Sequence, residues 1–196
     1  CVAKGVIPHP SAKHVSYVHS PMRYLWDQRF EYLTGMRKLP LGNLIVESIF
    51  SRLRVWDAVS AHRVDQFIAN SSFVADRIQT YYGRSSKVLN PSIDDRFFDA
   101  DLRSLNKRNE HFLVAGAFVS YKRFDLAIEW ANKFNQPLVV MGNGPDLARL
   151  QSLAKSSIRF VIQPSDEEWL EHLSGARALL FPGVEDFGMV PIEAMA

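Results

Sequence analysis

The chain predicts an α/β fold built on parallel sheets with crossover helices. Three observations carry this reading. Short apolar runs alternate with segments of helical period through the second half of the chain. Each run stops at a Gly or Pro turn, so every strand is followed by a loop and then a helix. The last residues repeat that order, with one glutamate on the loop and one on the new helix.

In the first half, His14–His19 alternates apolar and polar residues and reads as a strand. Asp65–Ala69 is a second short strand. Ser71 then caps a helix with Phe73, Ile78 and Tyr81 facing inward, and Gly83 stops it. Trp26–Trp56 is rich in aromatic and basic residues: Arg29, Phe30, Tyr32, Arg37, Lys38, then Ile45, Phe50, Leu53 and Trp56. It reads as one or two helices packed on this half, or as an acceptor-facing or membrane-facing surface. The polar stretch from Asp94 to Glu110 has no apolar period and fits a linker. The expected organisation is therefore a Rossmann-like portion over 1–92, a linker over 93–110 and a second Rossmann-like portion over 111–196.

In the second half, His111–Gly116 is a strand and turn, followed by a helix with apolar positions at Phe124, Ala127, Ile128, Ala131 and Phe134. Gln136–Gly142 is the next strand, and Pro145 suits the first turn of the helix after it. Ile158–Ile162 is a third strand. Ser165 and Glu168 have capping-box spacing, with Leu170 and Leu173 inward behind them. Arg177–Gly183 is a fourth strand, and Pro191 sits in the first turn of the last helix. Glu185 and Glu193 thus fall at the carboxyl end of a strand, where open α/β sheets bind ligands. Ionised carboxylates accept strong hydrogen bonds from hydroxyl groups. Amides near Gly188, Met189 and Val190, at a helix N-terminus, suit an anion such as a phosphate group.

Glu185 and Glu193, with seven residues between them, resemble the Glu-x7-Glu signature of retaining GT-B glycosyltransferases, family four in particular. The resemblance implies that Glu185 contacts the donor sugar and Glu193 the nucleotide ribose, with Phe187 and Gly188–Val190 in the same donor loop. Gly116 followed by Lys122 and Arg123 resembles the family's donor-phosphate loop, and Lys122 stands at its lysine position. The family's usual arginine is Ala117 here, which removes one expected phosphate contact; either Arg123 compensates or donor binding is weak. Gly142-Asn143-Gly144-Pro145 resembles the family's Gly-x-Gly-Pro turn. His19-Ser20-Pro21-Met22-Arg23-Tyr24 is similar to a stretch of mannosyl-type members whose histidine meets the donor sugar. That role passes to His19, with Arg23 beside it on the acceptor side. Phe67-Ile68-Ala69-Asn70-Ser71 matches a further family run and adds Asn70 to the acceptor side. The family's following Pro-Pro pair departs here to Pro91-Ser92, and its preceding aromatic to Asn90.

The resemblance covers about residues 1–30 and 60–196. It implies hexosyl transfer from a nucleotide sugar, most specifically mannose from GDP-mannose, to a glycan or lipid-linked glycan in polysaccharide biosynthesis. It implies no cofactor and no catalytic metal. Another GT-B sugar-nucleotide enzyme, such as an epimerase or a phosphorylase-like hydrolase, and a non-catalytic sugar-nucleotide-binding module remain alternative readings. Family members carry further strands before Cys1 and after Ala196, so the chain reads as a central portion of a larger enzyme, incomplete at both termini. The apolar surface this exposes predicts self-association.

Composition sets the outer limits. A net charge of +2, with no basic cluster interleaved with aromatics, argues against a nucleic-acid partner. The one cysteine, Cys1, gives no intrachain disulfide framework and fits the reducing cytoplasm. No apolar run approaches the ~20 residues needed to cross a bilayer, so any membrane contact is expected to be peripheral, at the inner face.

Overall fold

The computed structural model describes residues 2–29, 42–98 and 111–196, leaving aside the side chains of 42–44. The expectations placed on Phe30, Tyr32, Arg37 and Lys38, and on residues 99–110 of the linker, lie outside the described residues. Two compact units form, Cys1–Pro91 and Ser92–Ala196.

Unit 1 holds a three-stranded parallel sheet in the order β1-β2-β3, with β1 Val15–Val18, β2 Gln66–Ala69 and β3 Ser86–Val88. Helix α1 (Gly42–Ser60) leads through a 3-10 turn (Ala61–Arg63) into β2. Helix α2 (Ser72–Tyr82) starts where the Ser71 hydroxyl accepts from the Val74 amide at 3.1 Å. It ends at Gly83, whose φ of 63° is the left-handed conformation that such a stop uses. Val18, Val64, Phe67, Ala69, Val74, Ile78 and Tyr82 form the core. Ile78 is buried as its spacing predicts, but Tyr81 is only partly so and Phe73 is 45% exposed. The buried stripe runs through Val74, Ile78 and Tyr82. Phe73 lies at its edge, beside the Arg77 guanidinium, which sits 5.7 Å from the ring centroid.

A buried polar network joins the start of unit 1 to α1. The Lys4 ammonium donates to the Asp57 carboxylate at 2.7 Å, the Asp57 carbonyl at 2.6 Å and the Ser60 hydroxyl at 2.7 Å. The second Asp57 carboxylate oxygen accepts from the Trp26 indole and the Tyr82 hydroxyl, each at 2.9 Å. The Lys4 and Asp57 side chains are 1% and 0% exposed. Burial, and then the Asp57 carboxylate, hold the Tyr82 hydroxyl well above its ordinary pKa.

Unit 2 holds a four-stranded, all-parallel sheet in the order β6-β5-β4-β7, with β4 Phe112–Ala117, β5 Leu138–Asn143, β6 Ile158–Ile162 and β7 Ala178–Leu179. Its helices are α3 (Phe124–Phe134), α4 (Leu147–Leu153), α5 (Asp166–Gly175) and α6 (Met189–Met195). Alternate residues of the central strands serve different cores. Val114, Leu138 and Val140 pack with Ile128, Ala131 and Leu150, while Leu113, Ala115, Val139 and Met141 pack with Leu173. Helices on both faces explain why β5 is an unbroken apolar run. The capping box at α5 is complete: the Ser165 amide donates to the Glu168 carboxylate at 2.9 Å, and the Glu168 amide to the Ser165 hydroxyl at 3.2 Å.

Several local expectations need correction. Phe134 is 54% exposed: it is the last residue of α3 and leans on Trp130 at the surface. Leu170 is only partly buried, while Leu173 joins the core. Pro145 lies in the turn before α4, whose N-cap is Asp146. The strand expected over Arg177–Gly183 shrinks to Ala178–Leu179, flanked by hydrogen bonds that the Arg177 amide donates to the His111 carbonyl and the Leu180 amide to the Leu113 carbonyl. Beyond that the chain leaves the sheet to form the loop that carries Glu185.

At the start of β4, the His111 and His172 rings meet edge to face at 5.8 Å. Both have lowered pKa values. Burial is the main cause for each. His172 and Arg159 add to it for His111, and Arg159 for His172, where Glu171 and Glu168 pull the other way. A histidine depressed in the fold binds more protons when unfolded, so its stabilising contribution is present above the ordinary value of 6.5 and is lost as pH falls. The urea midpoint of unit 2 is therefore expected to drop between pH 7.5 and 5. The drop should shrink in His111→Asn/His172→Asn, and an unchanged slope in that variant would assign it to other groups.

Candidate active site

The unit 2 candidates gather at the carboxyl edge of β4 and β5 and in the loop after β7. Gly116 and Gly142 are register partners at the ends of their strands, with φ of 135° and 140°. A Cβ on Gly142 would run into the Gly116 carbonyl oxygen, so the chains approach as only glycine permits. A Cβ on Gly116 would lie 3.0 Å from the Lys122 Nζ. Its absence leaves the room in which the lysine lies. Gly144 follows in the turn against the Phe118 backbone, and the Phe118 amide donates to the Asn143 carbonyl at 2.8 Å.

Lys122 ends the 3-10 turn Ser120–Lys122, and its ammonium stands 3.1 Å from the Glu185 carboxylate. Both side chains are 18% exposed. Two residues distant in sequence, from the β4–α3 loop and the β7–α6 loop, thus form one partly buried ion pair. Gly183 makes the meeting possible, because a Cβ there would sit 2.7 Å from the Lys122 Cα. Its role was missed from sequence. The available signal was the Pro182-Gly183 turn directly after a strand.

Arg123 takes a left-handed φ of 53° and caps α3, and its guanidinium donates to the Asp125 carboxylate at 3.2 Å. Ala117 is exposed at the end of β4. Phe187 is half-buried, and Gly188, at φ 81°, opens the seven-residue α6, which contains Met189, Val190 and Glu193. The Glu193 carboxylate accepts from the Trp169 indole at 3.2 Å.

Three candidates belong to unit 1. His19 follows β1, is exposed, and its ring meets Tyr17 edge to face at 5.1 Å. Arg23 opens a turn and is half-buried. Asn70 follows β2 and is 5% exposed; its backbone carbonyl accepts from the Asn90 amide at 2.8 Å, which gives the departure at Asn90 a structural use. Its side-chain carbonyl oxygen is buried with no hydrogen-bond partner among the described residues. The structure brings together Lys122, Glu185 and the glycines of unit 2, and places His19, Arg23 and Asn70 at the carboxyl ends of the first two strands of unit 1. Among the described residues, no helix is long and apolar enough to cross a membrane, and no group of three or more His, Cys, Asp or Glu side chains could hold a metal ion.

Comparison with known proteins bears on the fold and the family. The Anabaena protein HepE, solved with UDP and glucose, matches 93% of this chain and 50% of its own at 16% identity and a TM-score of 0.64. A mutant of TarM from S. aureus, solved with fondaparinux, α-GlcNAc-glycerol and UDP, matches 95% of this chain and 36% of its own at 14% identity and a TM-score of 0.64. AviGT4, a glycosyltransferase involved in avilamycin A biosynthesis, matches 65% and 41% at 19% identity and a TM-score of 0.54. The chain therefore spans half or less of the length of these structures, and at such identities the likeness is one of fold, that of GT-B glycosyltransferases. No curated protein matches significantly. The family model described as Glycosyl transferases group 1 matches residues 96–196, the greater part of the chain, and the chain belongs to that family.

Proposed function

We propose that this chain is part of a retaining, family-four-like hexosyltransferase that takes its sugar from a nucleoside diphosphate hexose. The observation that carries the reading is the Lys122–Glu185 pair at the carboxyl edge of a parallel sheet, in space that Gly116 and Gly183 leave open. A lysine so held can shift from its carboxylate to a diphosphate and stabilise the charge that grows on the leaving group. The freed Glu185 carboxylate then accepts from sugar hydroxyls. In this reading Glu193 binds the ribose, and Phe187 and the amides of Met189 and Val190 line the donor loop. His19, on unit 1, meets the sugar, with Arg23 and Asn70 on the acceptor side; these three roles rest on the resemblance. The acceptor attacks the face that the leaving group vacates, which retains configuration without a covalent nucleophile.

GDP-mannose is the donor that the sequence around His19–Tyr24 and Tyr121–Arg123 supports. The HepE and TarM structures hold UDP instead, so a UDP-hexose is the second donor reading. A glycan or lipid-linked glycan is the proposed acceptor, reached from the cytoplasm. Peripheral membrane contact is supported by α1, which exposes Ile45, Ile49, Val55 and Val59 beside Arg52.

Calorimetric titration with GDP, UDP and ADP tests the reading. One base is expected to bind saturably, and Lys122→Ala to weaken it about tenfold or more, the scale of a lost charged hydrogen bond. UDP binding without GDP binding overturns the mannose donor and keeps the transferase. Failure of all three nucleotides to bind, in this chain and in the intact protein, overturns the donor site.

A further inference from the structure

Glu193 is one of seven residues in a short helix, and a glutamate side chain loses about 1.5 kcal/mol or more of rotamer freedom when it is fixed. Something must hold it if it is to bind a ligand well. Trp169 does so. Its indole N–H is a donor with no acceptor capacity, and it reaches the Glu193 carboxylate at 3.2 Å. The indole is itself held. Trp169 packs on the face formed by Leu113, Ala115, Val139 and Met141, together with Val190 from the first turn of α6. Its backbone amide donates to the Ser165 carbonyl at 2.9 Å, one turn after the complete capping box. A rigid donor thus engages one oxygen of the Glu193 carboxylate, Oε2.

We propose that Trp169 is a positioning residue for the donor nucleotide: by fixing the Glu193 carboxylate it sets how strongly the site distinguishes ribose from a sugar lacking its hydroxyls. The inference rests on Glu193 being the ribose contact, as read above. Charged hydrogen bonds to a pre-oriented acceptor cost no reordering at binding, so the gain appears only for ligands that carry the hydroxyls.

The test measures Kd for the nucleoside diphosphate that binds and for its 2′,3′-dideoxy analogue. The unmodified chain is expected to favour the ribonucleotide by tenfold or more. Trp169→Phe keeps the ring and removes the N–H. It should weaken the ribonucleotide about three- to tenfold, leave the dideoxy analogue unchanged, and add nothing in a Glu193→Ala background. A merely structural role would weaken both ligands alike, and that outcome overturns the proposal. So does a collapse of discrimination in Glu193→Ala alone, with Trp169→Phe unaffected. Full discrimination in Glu193→Ala removes Glu193 from the ribose, and the donor-site reading of that residue fails together with the inference. Should Trp169→Phe not fold, the Trp169 indole proton in the unmodified chain answers by NMR. Its resonance should move with the ribonucleotide and not with the dideoxy analogue; equal movement with both overturns the proposal.

Discussion

Replacing Glu185 with alanine is expected, under the proposed function, to lower hexosyl transfer by the intact protein about 10²–10³-fold, the range found when one preorganised electrostatic contact is removed from an active site. Two losses combine. The carboxylate proposed to accept from the sugar disappears, and Lys122 loses the partner that holds its ammonium in place. Because both act most strongly as charge develops on the leaving group, the effect should fall on kcat, with nucleotide affinity changed less than tenfold. Glu185→Gln separates the contributions: it keeps hydrogen-bonding capacity and loses the charge, so its activity should lie between alanine and the native residue. Steady-state rates at saturating donor decide the matter. Unchanged turnover in Glu185→Ala removes the residue from the site.

Asp57→Ala is expected to destabilise unit 1 by about 3–5 kcal/mol, the usual consequence of removing one partner from a buried pair. The Lys4 ammonium has its three donors satisfied by Asp57 and Ser60, and the Trp26 indole and Tyr82 hydroxyl end on the same carboxylate. One truncation strands three donors, two of them buried and the Trp26 indole partly so. Lys4→Met leaves the buried Asp57 carboxylate without its cation, so it too should cost several kcal/mol, though less than Asp57→Ala because two donors still reach the carboxylate. Hydrogen exchange read by mass spectrometry checks this, with faster exchange expected in β1–β3 of Asp57→Ala and native rates in β4–β6. Equal costs for the two substitutions would show that the charge pair, rather than the stranded donors, sets the stability.

That network was invisible in the sequence. Lys4 and Asp57 are far apart along the chain, and neither stands in a pattern that marks a buried charge. Strands β4, β5 and β6 were legible because each is a short apolar run bounded by turn residues, and a parallel sheet covered on both faces needs no other signal. The capping box at Ser165 was legible because it is a local bond with fixed spacing. Helical period predicted Ile78, Ala127 and Ile128 well and failed at Phe73 and Phe134, since periodicity names a stripe without saying where its covered part stops. In the candidate site, the identities of Lys122 and Glu185 came from the family resemblance, while their pairing came from Gly183, whose meaning appears only when its neighbour across space is known. The Trp169–Glu193 bond likewise joins two helices that no spacing rule connects.

The opposed glycines at the ends of β4 and β5 have a consequence for how this site can change. Its floor is cut from main chain, with no side chain to trim or enlarge at those points. A mutation there acts as a blockage rather than as an adjustment. If the proposed donor site holds, tuning toward a new donor falls to nearby positions that carry a side chain, and Ala117 is one of these, exposed at the end of β4 beside Gly116. On that reading, selectivity can drift at the rim while the floor stays fixed.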